Sequence, residues 1–220
     1  MLNILNEIFE QISYILSPPY CASCRETLKQ RTILCKSCFA KITPVTSIDI
    51  KINAGYVIKV IAISDYKEPL RSLILAKKSS NYLASKQLGQ LVWQMTNVKN
   101  LDFDYIVPIP LHWTRQITRG YNQVEVIAQV IAKECNKPLS SILKRQKFTK
   151  YQLALNKDER AKNLKNAFKL KKINSTMFQE KHILIVDDLF TTGSTLINAA
   201  NELIKLKPTT ITAVVVCRVT

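Results

Sequence analysis

The chain has 220 residues, 47% of them hydrophobic, enough to bury one core plus a small appendage that cannot stand alone. Its 32 Lys and Arg against 16 Asp and Glu leave a formal charge of +16, which suits a polyanionic partner and equally a solvated, Lys-rich surface. The longest apolar run, Ala213 to Cys217, is too short to span a bilayer, and with a mean hydropathy near zero the chain reads as soluble and cytoplasmic.

In chain order, residues 1–16 come first, with apolar side chains at Leu5, Ile8, Phe9, Ile12, Ile15 and Leu16 and polar ones at Glu7, Glu10 and Gln11. That spacing predicts an amphipathic helix, and the lack of a basic start argues against a secretory signal. Next come Cys21-x-x-Cys24, ten residues, and Cys35-x-x-Cys38. Two such knuckles present four sulfurs tetrahedrally, as a structural zinc site requires. A pair of disulfides is the alternative, disfavoured by a cytoplasmic setting. So short a ribbon has little core of its own, so metal binding should supply most of its folding energy. Arg25, Lys29, Arg31, Lys36 and Lys41 could let it grip nucleic acid or protein, or it could be only a brace.

Residues 56–63 read as a strand, 68–78 and 83–95 as helices, 105–110 as a short buried strand stopped by Pro108 and Pro110, and 122–135 as an amphipathic helix. Residues 138–156 are basic and weakly periodic, the pattern of an exposed loop. A helix over 158–168, a strand over 182–186, a helix over 194–206 and a strand over 211–216 complete the chain. Short, all-apolar strands alternating with helices indicate a parallel sheet covered on both faces. Cys135 and Cys217 fall in apolar patterns and read as buried hydrophobes. From Lys137 to Lys172 there are twelve basic residues and only Asp158 and Glu159 acidic; Phe148 and Tyr151 lie within this stretch and could stack on bases.

Only Gly55, Gly89, Gly120 and Gly193 are present, which excludes the glycine-rich dinucleotide and phosphate-loop fingerprints. One strand-to-helix junction keeps the right chemistry for an anionic sugar: Ile183-Leu-Ile-Val-Asp187-Asp188-Leu-Phe-Thr191-Thr192-Gly193-Ser194-Thr195. Two carboxylates can accept hydrogen bonds from a ribose diol, and the turn opens a helix whose N-terminal N–H groups suit a phosphate. Gly193 permits close backbone approach, and Thr191, Thr192, Ser194 and Thr195 offer hydroxyls. A capped helix behind acidic turn residues is the plainer alternative. A second junction, residues 107–123, carries Arg115 and Arg119, whose forked guanidinium groups suit a diphosphate; His112 is assigned no role.

These blocks resemble the ComF family of competence proteins, relatives of the phosphoribosyltransferases. Asp187 to Thr195 is similar to the phosphoribosyl-pyrophosphate motif of that superfamily. Val107-Pro-Ile-Pro-Leu-His112 with Arg119-Gly-Tyr-Asn-Gln123 is similar to a second block, and Arg145, Thr149, Gln152, Arg160, Asn163, Ala167 and Phe168 to a third. With the knuckle pair in front and Tyr66-x-x-Pro69-Leu-Arg71 behind it, the resemblance covers nearly the whole chain. Lys77-Lys78-Ser79-Ser80 departs from the family's Lys-aromatic-x-Gly turn.

The resemblance implies an α/β, type I phosphoribosyltransferase-like fold: an N-terminal helix over 1–18, a four-cysteine zinc ribbon over 19–50, and the phosphoribosyltransferase-like domain over 51–220. It implies Asp187 and Asp188 on the ribose hydroxyls and Thr191 to Thr195 around the 5-phosphate. The 107–123 segment would be the pyrophosphate loop, 145–163 the flexible loop over the pocket, and Mg²⁺ the bridge between the ligand's diphosphate and hydroxyls. It further implies support of DNA uptake in natural transformation, with incoming single-stranded DNA and a competence helicase as partners. A phosphoribosyl-pyrophosphate-binding module is one expectation. An enzyme transferring phosphoribose from the diphosphate to an unknown nucleophile is the alternative, and a ribbon that alone grips nucleic acid is a third.

Overall fold

The computed structural model describes residues 18–29, 32–52, 55–78, 82–111, 117, 120–146 and 167–219. The helix expected over 1–16, residues 158–166 of another, and His112, Arg115, Arg119, Phe148, Thr149, Tyr151, Gln152, Arg160 and Asn163 lie outside them. In chain order the described elements are α1 (Lys36–Ala40), β1 (Ile48–Lys51), β2 (Val57–Asp65), α2 (Leu70–Lys78), α3 (Tyr82–Met95), β3 (Tyr105–Pro108), α4 (Gln123–Cys135), β4 (Leu143–Arg145), β5 (Phe168–Leu170), β6 (His182–Phe190), α5 (Ser194–Leu203) and β7 (Thr210–Arg218).

One sheet has the order β1-β2-β7-β6-β3, with β2, β7, β6 and β3 parallel and β1 antiparallel on the outer edge. Ile183 to Val186 and Ala213 to Cys217 are fully buried, as central strands covered on both faces must be. Parallel crossovers are right-handed. The chain runs from β6 through α5 to β7 in one direction along the sheet, and from β2 through α3 to β3 and on through α4 to the parallel bridge of Leu139 with Ile106 in the other, so α3 and α4 share one face and α5 covers the opposite one. At Gly89 an added Cβ would come within 2.8 Å of the Val130 Cβ and 3.0 Å of the Ile127 carbonyl oxygen, so glycine is what lets α3 and α4 touch backbone to side chain.

Asn122 starts α4 by accepting the Val124 N–H at 3.1 Å, and its own amide donates to the Ile109 carbonyl at 3.1 Å. The helix start is thereby tied to the end of β3. Asn136 ends α4 in the left-handed region at φ 52°.

Three expectations need correction. Residues 138–146 are not an exposed loop: Ile106 donates to the Pro138 carbonyl at 3.0 Å and Ser140 to the Ile106 carbonyl at 2.8 Å, zipping the chain onto the free edge of β3. The buried strand's own N–H and C=O groups demand such partners. Phe168 does not end a helix; it begins β5, which pairs antiparallel with β4 and buries its ring. Tertiary pairing overrides the helical pattern there. Strand β6 extends four residues past Val186, so Asp187 and Asp188 belong to the ladder itself, with Asp187 opposite Val215 and Phe190 opposite Arg218. Strand β1 was not anticipated; its burial alternates around Asp49 and Lys51, which hide it in a polar stretch. Of the two lone cysteines, Cys217 is fully buried and Cys135 half-buried.

Candidate functional site

The site is built where apolar strands run out. β6 carries Asp187, 7% exposed, and the half-buried Asp188 to the carboxyl edge of the sheet, the edge on which open α/β folds bind ligands. Successive strand residues leave on opposite faces, so the two carboxylates approach the space beyond β6 from two sides. The Asp188 N–H donates to Asp187 Oδ1 at 2.8 Å, which fixes the first carboxylate against the strand.

A three-residue turn, Thr191 to Gly193, then reverses the chain into α5. Gly193 has φ 74°, and an added Cβ would stand 3.0 Å from the Phe190 ring, so this turn requires glycine twice over. No side chain caps α5. The Thr192 and Ser194 hydroxyls lie 2.8 Å apart, bonded to each other, and the positive end of the helix faces the turn. Thr195 is half-buried in the first turn of the helix.

The second junction opens beside the first. Pro108 is the ladder neighbour of Val186, and the Ile109 N–H donates to the Val186 carbonyl at 2.9 Å, immediately before Asp187. The loop expected to carry the diphosphate arm therefore leaves the sheet next to the carboxylate pair and returns at Asn122. Arg115 and Arg119 themselves lie outside the described residues.

Two charged residues on the same edge escaped the sequence reading. Arg218 Nε donates to Asp65 Oδ1 at 2.9 Å and its Nη1 to the Thr46 carbonyl at 3.2 Å. Arg218 is also the ladder partner of Phe190. Both strands were expected to stop two residues early, at 63 and 216, so the pair fell into connecting segments. The available signal was opposite charge at the ends of two apolar runs.

β4 and β5 form a two-stranded ribbon in which Lys144 stands directly opposite Lys169. Both are exposed. Like charges facing each other across strands repel, so the ribbon holds a local excess of positive charge in a fixed place. Arg145 lies over the Phe168 ring, 5.5 Å from its centre.

The four knuckle cysteines converge: the sulfurs of Cys21, Cys24, Cys35 and Cys38 all lie within 4.8 Å of one another, and Cys24 and Cys35 are 3.7 Å apart. A tetrahedron with metal–sulfur bonds of about 2.3 Å has edges of about 3.8 Å, so the cluster could hold a metal such as zinc. The Cys38 N–H donates to Cys35 Sγ at 3.4 Å, the amide-to-sulfur contact of a knuckle. Burial, followed by its thiol neighbours, pushes Cys38 up to about 12. Burial pushes Cys21 up as well, but hydrogen bonds from the Cys35, Cys24 and Ser23 backbone outweigh it and bring that thiol down to about 6. The proton is thus held more loosely on Cys21 than on Cys38.

A family model described as "Phosphoribosyl transferase domain" matches residues 118–220, which contain the whole β6–α5 junction. The chain is also 35% identical over 200 residues to "Competence protein F" of Haemophilus influenzae, an alignment spanning 87% of this chain and 80% of that protein. The chain belongs to the competence protein F, or ComF, family. "DNA utilization protein YhgH" of Shigella flexneri is 30% identical over 168 residues, covering 73% of this chain and 72% of that protein. "Competence protein ComFC" of Bacillus subtilis is 29% identical over 107 residues, 46% of this chain and 38% of that protein. The α/β architecture with its parallel sheet and N-terminal cysteine cluster is thus the one the ComF resemblance leads one to expect. Among the described residues no helix is long and apolar enough to cross a membrane.

Proposed function

We propose that this chain is a phosphoribosyl-pyrophosphate-binding protein that supports DNA uptake, handling incoming single-stranded DNA in the cytoplasm. The observation that carries the reading is the β6–α5 junction: two carboxylates on a sheet edge, followed by an uncapped helix start behind a glycine turn. Asp187 and Asp188 would accept from the ribose diol. Thr191, Thr192, Gly193, Ser194 and Thr195 would surround the 5-phosphate, which the helix start stabilises by its N–H groups and dipole. Arg115 and Arg119 would take the diphosphate arm bidentately. The side-chain donors of Asp187, Asp188, Thr191, Thr192, Ser194 and Thr195 are all oxygens, a set that suits the hard cation Mg²⁺ accompanying the diphosphate. In this reading the chain divides into an N-terminal helix over 1–18, a zinc-loaded ribbon over 19–50 and the ligand-binding domain over 51–220.

The DNA role rests on the relatives named for competence and DNA utilization, and on the unbalanced charge of the Lys144–Lys169 ribbon. Lys and Arg neutralise phosphates without reading sequence, as a factor accepting any incoming strand must. A competence helicase is the natural protein partner for such a factor.

The pocket is tested by calorimetry with phosphoribosyl pyrophosphate and Mg²⁺. Asp187→Asn combined with Asp188→Asn is expected to abolish binding, and undiminished binding would refute the assignment. The DNA role is tested by single-strand affinity as a function of salt: affinity should fall steeply as salt rises, and Lys144→Ala with Lys169→Ala should lower the slope by about 1.4. An affinity indifferent to salt excludes the basic ribbon as the grip. The family model's own description favours a second reading, in which the chain transfers phosphoribose to an unknown nucleophile. Pyrophosphate release against candidate acceptors, with and without single-stranded DNA, separates the two.

A further inference from the structure

One side chain ties the end of the β6–β7 ladder to the cysteine ribbon. Arg218 is the last residue of β7 and stands in register between Asp65 of β2 and Phe190 of β6. Its guanidinium reaches toward β2, where Nε donates to Asp65 Oδ1 at 2.9 Å and Nη1 to the Thr46 carbonyl at 3.2 Å. The Arg218 and Asp65 side chains are 19% and 26% exposed, so water and salt screen this pair less than a surface one.

On one side of Arg218 the path leads to the cysteines. Thr46 follows Cys38 by eight positions, and the segment between is held at three points. The Lys41 N–H donates to the Cys38 carbonyl at 3.2 Å, Ile42 is buried, and the Val45 N–H donates to the Ile63 carbonyl at 3.3 Å. On the other side the path leads to the Thr191–Gly193 turn. The Val219 N–H donates to the Phe190 carbonyl at 2.8 Å, and the Phe190 ring packs against Gly193, 3.0 Å from where a Cβ would stand. A ladder opens first at its end rung unless something holds that rung. Here the holder is itself anchored by a carbonyl on the way out of the ribbon.

We propose that Arg218 is a positioning residue for the Thr191–Thr195 turn and makes the order of that turn depend on closure of the cysteine ribbon. Opening the ribbon frees Thr46, Arg218 loses the second of its two anchors, and the Phe190 rung loosens beneath Gly193. Because ribbon and turn bias the same rung, the coupling is reciprocal, and a ligand that orders the turn steadies the ribbon. Its bearing on phosphoribosyl pyrophosphate rests on the function proposed above.

The test is hydrogen exchange on the full chain, read over 190–197 and at Val219, with α4 as the internal reference for an intact sheet. Cys35→Ser with Cys38→Ser opens the ribbon whatever it holds, and should speed exchange at the turn and at Val219 about fivefold or more while α4 keeps its protection. Arg218→Lys keeps a charge opposite Asp65, so no half-buried carboxylate is stranded, but gives up the fork whose second nitrogen reaches Thr46. It should speed the same amides to a like extent with the ribbon still closed, and adding the cysteine changes should add little more. Lys181→Gln removes an ion pair at the opposite end of β6 and should leave the turn unchanged. A turn that ignores the open ribbon overturns the proposal. So do effects of Arg218→Lys and the cysteine changes that multiply when combined, since the two then act by independent routes. Loss of α4 protection in step with the turn also overturns it, because the ribbon then props the whole sheet. Calorimetry with phosphoribosyl pyrophosphate and Mg²⁺ on the same variants should show affinity falling about fivefold or more. If the natural chain binds none while the exchange pattern holds, the ligand assignment fails and the coupling stands.

Discussion

At the scale of single residues, the proposed site turns on Gly193. Gly193→Ala imposes a left-handed conformation on a residue with a Cβ, at about 1–2 kcal/mol, and presses that carbon against Phe190. The expected outcome is a modest fall in the thermal midpoint together with loss of phosphoribosyl-pyrophosphate binding, because the turn displaced is the one proposed to hold the phosphate. Asp104 gives a pH prediction. The His182 N–H donates to its Oδ2 at 2.8 Å and holds the carboxyl below its ordinary 3.8, burial opposes this, and Lys181 at 3.4 Å adds to the lowering. A carboxyl whose folded value lies below its unfolded one contributes stability above the unfolded value and loses it as pH falls toward the folded one. Asp104→Asn should therefore destabilise the protein at neutral pH and flatten the acid side of the stability curve below about pH 4, read by denaturant titration at several pH values. A parallel shift of the whole curve would show that the ionised form contributes nothing.

At the scale of elements, the helix pair α3 and α4 is the most sensitive contact. Gly89→Ala places a methyl 2.8 Å from Val130, and overpacking of this kind costs about 1–3 kcal/mol, so a lower denaturation midpoint with an unchanged denaturant slope is expected. The same elements show what the sequence could and could not convey. The apolar strands β6 and β7, the capped helix α4 beginning after Asn122, and helix α5 beginning at Ser194 were legible because their periodicity or capping is local. The four cysteines were legible by spacing alone. The β4–β5 ribbon was not, because its stability comes from a cross-strand pairing that buries Leu143 and Phe168 and leaves no period in the chain. Likewise the extension of β6 through Asp187 to Phe190 depends on β7 standing beside it.

At the scale of the whole molecule, every group in the proposed pocket that the structure describes sits on one edge of one sheet, with Asp65 and Arg218 locking the ends of β2 and β7 on that same edge. Arg218 also holds the Thr46 carbonyl, so the segment leaving the cysteine ribbon is fastened beside the pocket. The sequence showed a strand leading through a turn into α5 but not this bracket, whose partners lie 153 and 172 positions apart. The zipping of residues 138–140 along β3 has a separate outcome. It denies that flank to any incoming strand, leaving β1 as the outer rail of the sheet, and β1 is four residues long and carries Asp49 and Lys51. Such a rail is a poor template for edge-to-edge growth. In the proposed role of gathering on single-stranded DNA, where copies of the chain meet at high local density, such a rail keeps them from joining through their sheets.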